Sequence, residues 1–199
     1  MSNLIFAIDN GHGGVINGEP QTAGKRSKDF GKGILYEGVT NRAIAKKVLE
    51  MCKKAGISAI NLVPEAIDIS LGERVRRVNK LDPKTTILIS IHSNASDNES
   101  ASGFEIFTTV GQNGSDIVAE TIFQEFKTAF PKANFRTDTG DGDNDKEVDF
   151  FVIKKANCRA VLIENWFMTN KDDYELLMSE KGQNDTAKAI FEGIKKLNK

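Results

Sequence analysis

Short apolar runs alternate with longer stretches of helical periodicity along this chain. Residues 4–8 form an apolar run stopped by Asp9, Asn10, Gly11 and Gly13, which predicts a buried strand feeding a glycine-rich loop. From Glu37, apolar residues at Val39, Ile44, Val48, Cys52 and Ala55 lie close to one helical face, and Gly56 is a natural stop. The pattern then predicts a strand over 57–63, a helix over 71–81 and a strongly buried strand over 86–91 that ends at His92. A strand over 103–110, a helix over 115–130, strands over 148–153 and 160–163, and helices over 172–178 and 182–197 complete the series. Strand and helix in alternation predict an α/β fold with a twisted, mostly parallel sheet flanked by helices.

Two segments lack periodicity. Residues 17–35 are rich in Gly, Lys, Asp and Ser, and a loop of that length in a compact domain tends to be functional or mobile. Residues 137–149 carry alternating acids, Asp138, Asp141, Asp143 and Asp145, which resemble half of an EF-hand loop. An EF-hand needs a bidentate Glu at its twelfth position and flanking helices, so a solvated loop is the better expectation, with adventitious calcium as the minor one. Neither an internal repeat nor an interdomain linker is evident, and 199 residues fit one domain.

Composition narrows the function classes. Basic and acidic residues balance to a net charge of -1, so no global field draws the chain to nucleic acid or an anionic membrane. No stretch approaches the roughly 20 apolar residues that span a bilayer. The opening residues 1–10 lack a basic leader and a secretory apolar region, which predicts synthesis in the cytoplasm without export. Cys52 and Cys158 fit no metal or disulfide framework and read as reduced small hydrophobes, a disulfide between them being the minority reading.

The two histidines of the chain, His12 and His92, both stand at the carboxyl end of a predicted buried strand. Strand ends that open onto loops are where ligands collect in α/β sheets, so both imidazoles can converge on one crevice. Taken singly, each is most simply a hydrogen-bonded strand-end residue. Two carboxylates change that balance. Glu164 ends the apolar run of Val161, Leu162 and Ile163, where a buried charge is expensive unless it is paired or does work. Glu37 opens the first helix, where its ordinary role is to stabilise the helix terminus by up to about 1 kcal/mol.

These residues stand in blocks: Ile8 to Gly14; Glu37 with Asn41; Leu71 with Arg74 and Asn79; Ser90 to Ala95; Gly103 with Glu105; and Val161 to Glu164 with Phe167 and Asn170. In order and spacing they resemble the zinc-dependent N-acetylmuramoyl-L-alanine amidases (amidase type 3) of bacterial cell-wall hydrolases and phage endolysins. The resemblance spans nearly the whole chain. It implies a zinc-exopeptidase-like fold in a single catalytic domain, peptidoglycan as partner, and one zinc ion held by His12, Glu37 and His92. No separate wall-binding domain is expected after the last helix, so either the catalytic domain finds the wall unaided or the chain is a fragment of a longer protein. Two imidazoles and one carboxylate suit zinc and leave a fourth position for water. The resemblance also makes Glu164 the catalytic carboxylate, taking a proton from water and delivering it to the departing alanine nitrogen.

Further roles stay open. Asp9 and Asn94 are candidates to orient the metal-bound imidazoles, although Asp9 can equally cap its loop. Arg74 and Asn79 are weighed toward structural hydrogen bonding over substrate contact. Glu105 lines the groove or faces solvent on an edge strand. Trp166 stands where the family usually has Gly, and an indole there narrows the groove or stacks on a sugar. Lys25, Arg26, Lys28 and Lys32 touch stem-peptide carboxylates or are simply solvated. The rival readings are a zinc peptidase or amidohydrolase acting on another amide, and a catalytically silent wall-binding module. A wall substrate for a chain expected without an export signal fits a phage or prophage lysin best.

Overall fold

The computed structural model describes residues 4–140 and 142–199. Asp141 of the acidic run and the first three residues of the opening segment lie outside those described. β1 (Ile5–Asn10), β5 (Thr86–Asn94) and β8 (Arg159–Phe167) are apolar and buried along most of their length, as central strands covered on both faces should be. With β4 (Ala59–Asn61), β6 (Phe104–Thr108) and β7 (Lys146–Glu147) they form a six-stranded sheet in the order β4-β1-β5-β8-β6-β7. β4, β1, β5 and β8 are parallel, β6 is antiparallel to β8, and β7 is parallel to β6. The helices are α1 (Glu37–Lys54), α2 (Leu71–Val78), α3 (Gly114–Ala129), α4 (Phe151–Lys155), α5 (Lys171–Met178) and α6 (Glu180–Leu197). The α/β sheet expected from the sequence is therefore present.

Side chains alternate across a strand, so each strand feeds two cores. Phe6, Ile8, Ile87, Ile89, Ile91, Val161 and Ile163 belong to the larger one, with Ile44 and Val48 of α1, Ile122 and Phe126 of α3, and Ile190 and Ile194 of α6. Ala7, Leu88, Leu162 and Phe107 belong to the smaller one, with Val78 of α2 and Val152 and Ile153 of α4. Each fully buried side chain of this kind contributes about 1.5–3 kcal/mol. On the face of the smaller core the register continues toward the strand ends with polar residues. Asp9 pairs with Ser90, His92 with Glu164, and Glu164 with Glu105. That polar row is the floor of the site.

The structure corrects several boundaries. Residues 148–153, expected as a strand, instead follow the two-residue β7 and lead into the short helix α4. A short apolar run has no period that separates strand from helix, and here only Val152 and Ile153 are buried while Phe151 is exposed. β5 and β8 extend past their apolar runs to Asn94 and Phe167, because His92 and Asn94 still pair with Glu164 and Phe167, and Asn165 still pairs with Phe104 of β6. The long loop opens with a small hairpin, β2 (Val15–Ile16) and β3 (Glu19–Pro20), and closes with a bridge between Arg26 and Tyr36. Cys52 and Cys158 are free and pack in the two different cores, so the sheet separates them.

Candidate metal centre

His12 follows β1 by two residues. The Gly11 N–H continues the pairing by donating to the Ile91 carbonyl at 2.9 Å. A Cβ on Gly11 would fall 2.2 Å from the His92 ring, so only glycine leaves room for that imidazole. His12 itself adopts a left-handed backbone, φ 62°, which costs on the order of 1–3 kcal/mol and has to be held from outside. The Arg42 guanidinium does this, donating to the His12 carbonyl at 2.6 Å, and Arg74 reaches the same oxygen at 3.4 Å. The loop then presses on the first turn of α1, where a Cβ on Gly38 would lie 1.9 Å from the Gly13 carbonyl oxygen.

Glu37 is the first residue of α1, and its N–H donates to the Lys25 carbonyl at 3.0 Å. The side chain turns inward and is 1% exposed. Its Oε1 accepts from Asn41 Nδ2 at 3.3 Å and from the Ser93 N–H at 3.2 Å, and lies 3.2 Å from His92 Nδ1. Its Oε2 lies 3.3 Å from His12 Nε2. Asn41 is itself fixed, donating to the Gly11 carbonyl at 3.3 Å and accepting from Ser93 Oγ at 3.2 Å. The two imidazoles meet edge to face with centroids 5.0 Å apart. One donor atom from each of His12, Glu37 and His92 falls within 4.8 Å of the others, a spacing that can hold a single metal ion.

Charge states follow from this packing. Burial lowers the His12 imidazole to about 4, outweighing the attraction of Glu37, so it stays neutral with a lone pair to offer. For His92, burial is opposed by the contact with Glu37 and the charges of Glu164, Glu37 and Asp9, and the net shift is upward. Burial alone would raise Glu37, yet its contact with His92 and the charges of both imidazoles bring it below the ordinary range. Glu164 sits beside His92 in the register, with Oε2 buried and without a hydrogen-bond partner among the described residues. Burial pushes its carboxyl up to about 7, with His92 opposing and Glu37 adding to the rise.

The surrounding candidates divide. Asp9 touches neither imidazole; it accepts from Arg74 Nη1 at 2.5 Å and Ser90 Oγ at 2.6 Å, and Arg74 also donates to the Asn10 carbonyl at 2.8 Å. Arg74 is thus a buried clamp on the strand end that carries His12. Asn94 donates to Glu105 instead of orienting a histidine. Glu105 is buried, not on an edge strand, and is neutralised by Arg136 at 2.8 Å and Lys146 at 2.6 Å. Asn79 caps α2 and clips it to the end of α4 and the residues beyond through Lys155 and Asn157.

Trp166 is not at the cleft. It is 1% exposed, packs on Phe104, Phe126 and Phe130, and donates its indole N–H to Thr186 at 3.1 Å. Simple alternation would set it on the face of Glu164. An extra residue in β8, seen as the register shift opposite His92 and Asn94, and a left-handed φ of 63° turn it into the larger core instead.

Comparison with known proteins places this geometry. The N-acetylmuramoyl-L-alanine amidase family matches residues 6–196. The chain belongs to the N-acetylmuramoyl-L-alanine amidase family. It is 29% identical to the endolysin of Bacillus phage SPP1 over 98% of its own length and 65% of that protein. It is 30% identical to the N-acetylmuramoyl-L-alanine amidase LytC of Bacillus subtilis over 97% of its length and 35% of that one. The chain thus spans about two thirds of the one relative and about a third of the other. The crystal structure of the N-acetylmuramoyl-L-alanine amidase from Clostridium difficile 630 superimposes with a TM-score of 0.80 at 28% identity, covering 97% of this chain and 95% of that one.

The amidase cleft is a cavity of about 480 Å³ reached by His12 and His92. One wall is apolar, from Ile69, Leu71 and Val152, and the other is polar, from Thr22 and Asp68. Thr22 receives the Gly13 N–H at 2.8 Å and donates to Asp68 at 2.7 Å, tying the histidine loop to the segment before α2. Sequence reasoning does not find Arg42, Thr22 or Asp68. Their partners lie 9 to 46 residues away in aperiodic segments, and no local pattern marks them.

Proposed function

We propose that this amidase hydrolyses the amide bond between N-acetylmuramic acid and L-alanine in peptidoglycan, with one zinc ion held by His12, Glu37 and His92 and with Glu164 moving the proton. The observation that carries the reading is the convergence of three donor atoms within 4.8 Å beside a buried carboxylate with an unpartnered oxygen. Two imidazole nitrogens and one carboxylate oxygen fit a zinc site that keeps a position open for reaction. The chemistry such an ion supplies is Lewis acidity, which polarises a carbonyl and brings the pKa of water to about 7.

The chain's own residues do the rest. Glu164 Oε2 is free to accept the proton of the attacking water and then to give it to the departing alanine nitrogen. Burial raises this carboxyl above the ordinary carboxylate range, which favours its holding the proton between the two transfers. Asn41 and Ser93 fix the Glu37 carboxylate, while Arg42 and Arg74 fix the loop of His12, so the donors are set before an ion arrives. The apolar wall of Ile69, Leu71 and Val152 offers a dry surface to the substrate beside the reacting bond. The likeness to a phage endolysin supports placing this activity in cell-wall lysis.

Mass spectrometry of purified walls digested by the protein tests the reading. It predicts stem peptides released with a free amino-terminal L-alanine and glycan strands left with a lactyl carboxylate. Cleavage inside the stem peptide would instead identify a peptidase, and sedimentation with walls without any release would identify a silent binding module.

A further inference from the structure

The described residues of the acidic run 137–149 are exposed or half-buried, as a solvated loop should be, with one exception. Asp145, directly before β7, is 2% exposed, and its Oδ2 accepts from Thr108 Oγ1 at 2.5 Å. Its Oδ1, like Asp143 Oδ1 and Asp116 Oδ1, is buried and accepts from no N–H or O–H donor among the described residues. Asp145 and Asp143 meet carboxyl to carboxyl, a hydrogen bond that exists only with a proton shared between them. Asp116 comes from the first turn of α3, where its other oxygen accepts the Asn113 N–H at 2.6 Å. The nearest basic residue in sequence, Lys146, is committed to Glu105. Among the described residues, no ion pair involves Asp116, Asp143 or Asp145.

Desolvated carboxylates that face one another without a counter-charge are unfavourable by several kcal/mol in order of magnitude unless a proton or a cation joins them. We propose that Asp143 and Asp145, with Asp116 beside them, form a site for a hard divalent cation of the calcium and magnesium class, separate from the His12, Glu37 and His92 centre. The donors are all oxygens, with no imidazole or thiolate, and this selects against zinc and for calcium or magnesium. Among the described residues only the histidine centre has three such donors within 4.8 Å of one another. An ion in the acidic pocket therefore bonds Asp143 and Asp145 and reaches Asp116 through a water that it retains. Its effect is to tie the edge of the sheet, Thr108 of β6 and the chain entering β7, to the start of α3. The raised carboxyl of Asp145, pushed up to about 7 by burial and then by Asp143 and Asp116, shows the same unmet demand for positive charge.

Thermal melting of the zinc-loaded full chain, with calcium chloride, magnesium chloride or sodium chloride at matched ionic strength, tests the site. Wild-type Tm rises with one or both divalent salts at millimolar concentration, the affinity range of extracellular oxygen-ligand sites, and does not rise with sodium. Calorimetric titration of the same protein gives one such ion per chain, weakened about tenfold or more in Asp143→Asn. Asp143 pairs with Asp145, and Asp143→Asn keeps a group able to hydrogen-bond it, so this variant tests the site even where Asp145→Asn folds poorly. Absence of a divalent effect, an equal rise in sodium chloride, or an unchanged rise in Asp143→Asn overturns the proposal. A cluster satisfied by protons alone would show the first of these.

Discussion

Glu164 joins two properties that a purely structural carboxylate avoids, burial and an oxygen without a partner. It lies beside His92 but makes no hydrogen bond to the groups that would bind the ion, so Glu164→Gln should retain zinc and fold. Turnover on walls should fall by about 10²–10⁴-fold, the usual share of a positioned acid–base group. Metal analysis of the variant alongside the rate separates this from loss of the ion, and an active variant would remove Glu164 from the reaction. Asp145 gives a residue-scale prediction of a different kind. Burial, with Asp143 beside it, raises its carboxyl from the ordinary 3.8 to about 7, so the folded state holds a proton on this pair longer than the unfolded chain does. Without divalent ions, stability should therefore fall as pH rises from about 4 to about 7 and level off above. Asp145→Asn should lack that fall, so the Tm gap between variant and wild type in a chelator widens over this window. A gap that is flat with pH would contradict it. At this scale the sequence is informative where a rare residue type ends an apolar run: His12, His92 and Glu164 stand out for that reason. Trp166 misleads because one extra residue in β8 and one left-handed φ reverse its face, and neither leaves a mark in composition.

Elements position the donors, and two glycines show how tightly. Gly11→Ala would drive a methyl into the His92 ring, a side chain that can swing away at the expense of its contact with Glu37. The expected result is zinc affinity lowered about 10–100-fold, as for lost orienting contacts, with the urea midpoint of the metal-free protein little changed. Gly38→Ala meets backbone, the Gly13 carbonyl, which cannot swing. That variant should lose both zinc affinity and folding stability, and the two urea midpoints together distinguish the cases. The elements themselves are legible where periodicity is long: α1, α3 and α6 match their predicted spans within a few residues. Residues 148–153 are not, because four consecutive apolar residues satisfy strand and helix equally and only the packing of Val152 and Ile153 under α2 decides.

Across the whole molecule the sheet divides labour between its faces. The larger core under α1, α3 and α6 supplies most of the burial, and the thin cover of α2 and α4 leaves the ends of β1, β5 and β8 open on the other face. Glu37 reaches that opening from a helix of the thick side, around the strand ends, to meet His12 and His92. The strand and helix alternation foretells the sheet and the strand-end location of the site. It is silent about which long-range contacts hold the site still, since Arg42, Arg74, Thr22 and Asp68 act across aperiodic loops. The central claim is that the three side chains grip one zinc ion, and crystals of the zinc-loaded protein measured at the zinc absorption edge test it most directly. The account predicts a single anomalous peak about 2.0–2.2 Å from His12 Nε2, a Glu37 carboxylate oxygen and His92 Nδ1. A peak held by other residues, or none at this cleft, would contradict it.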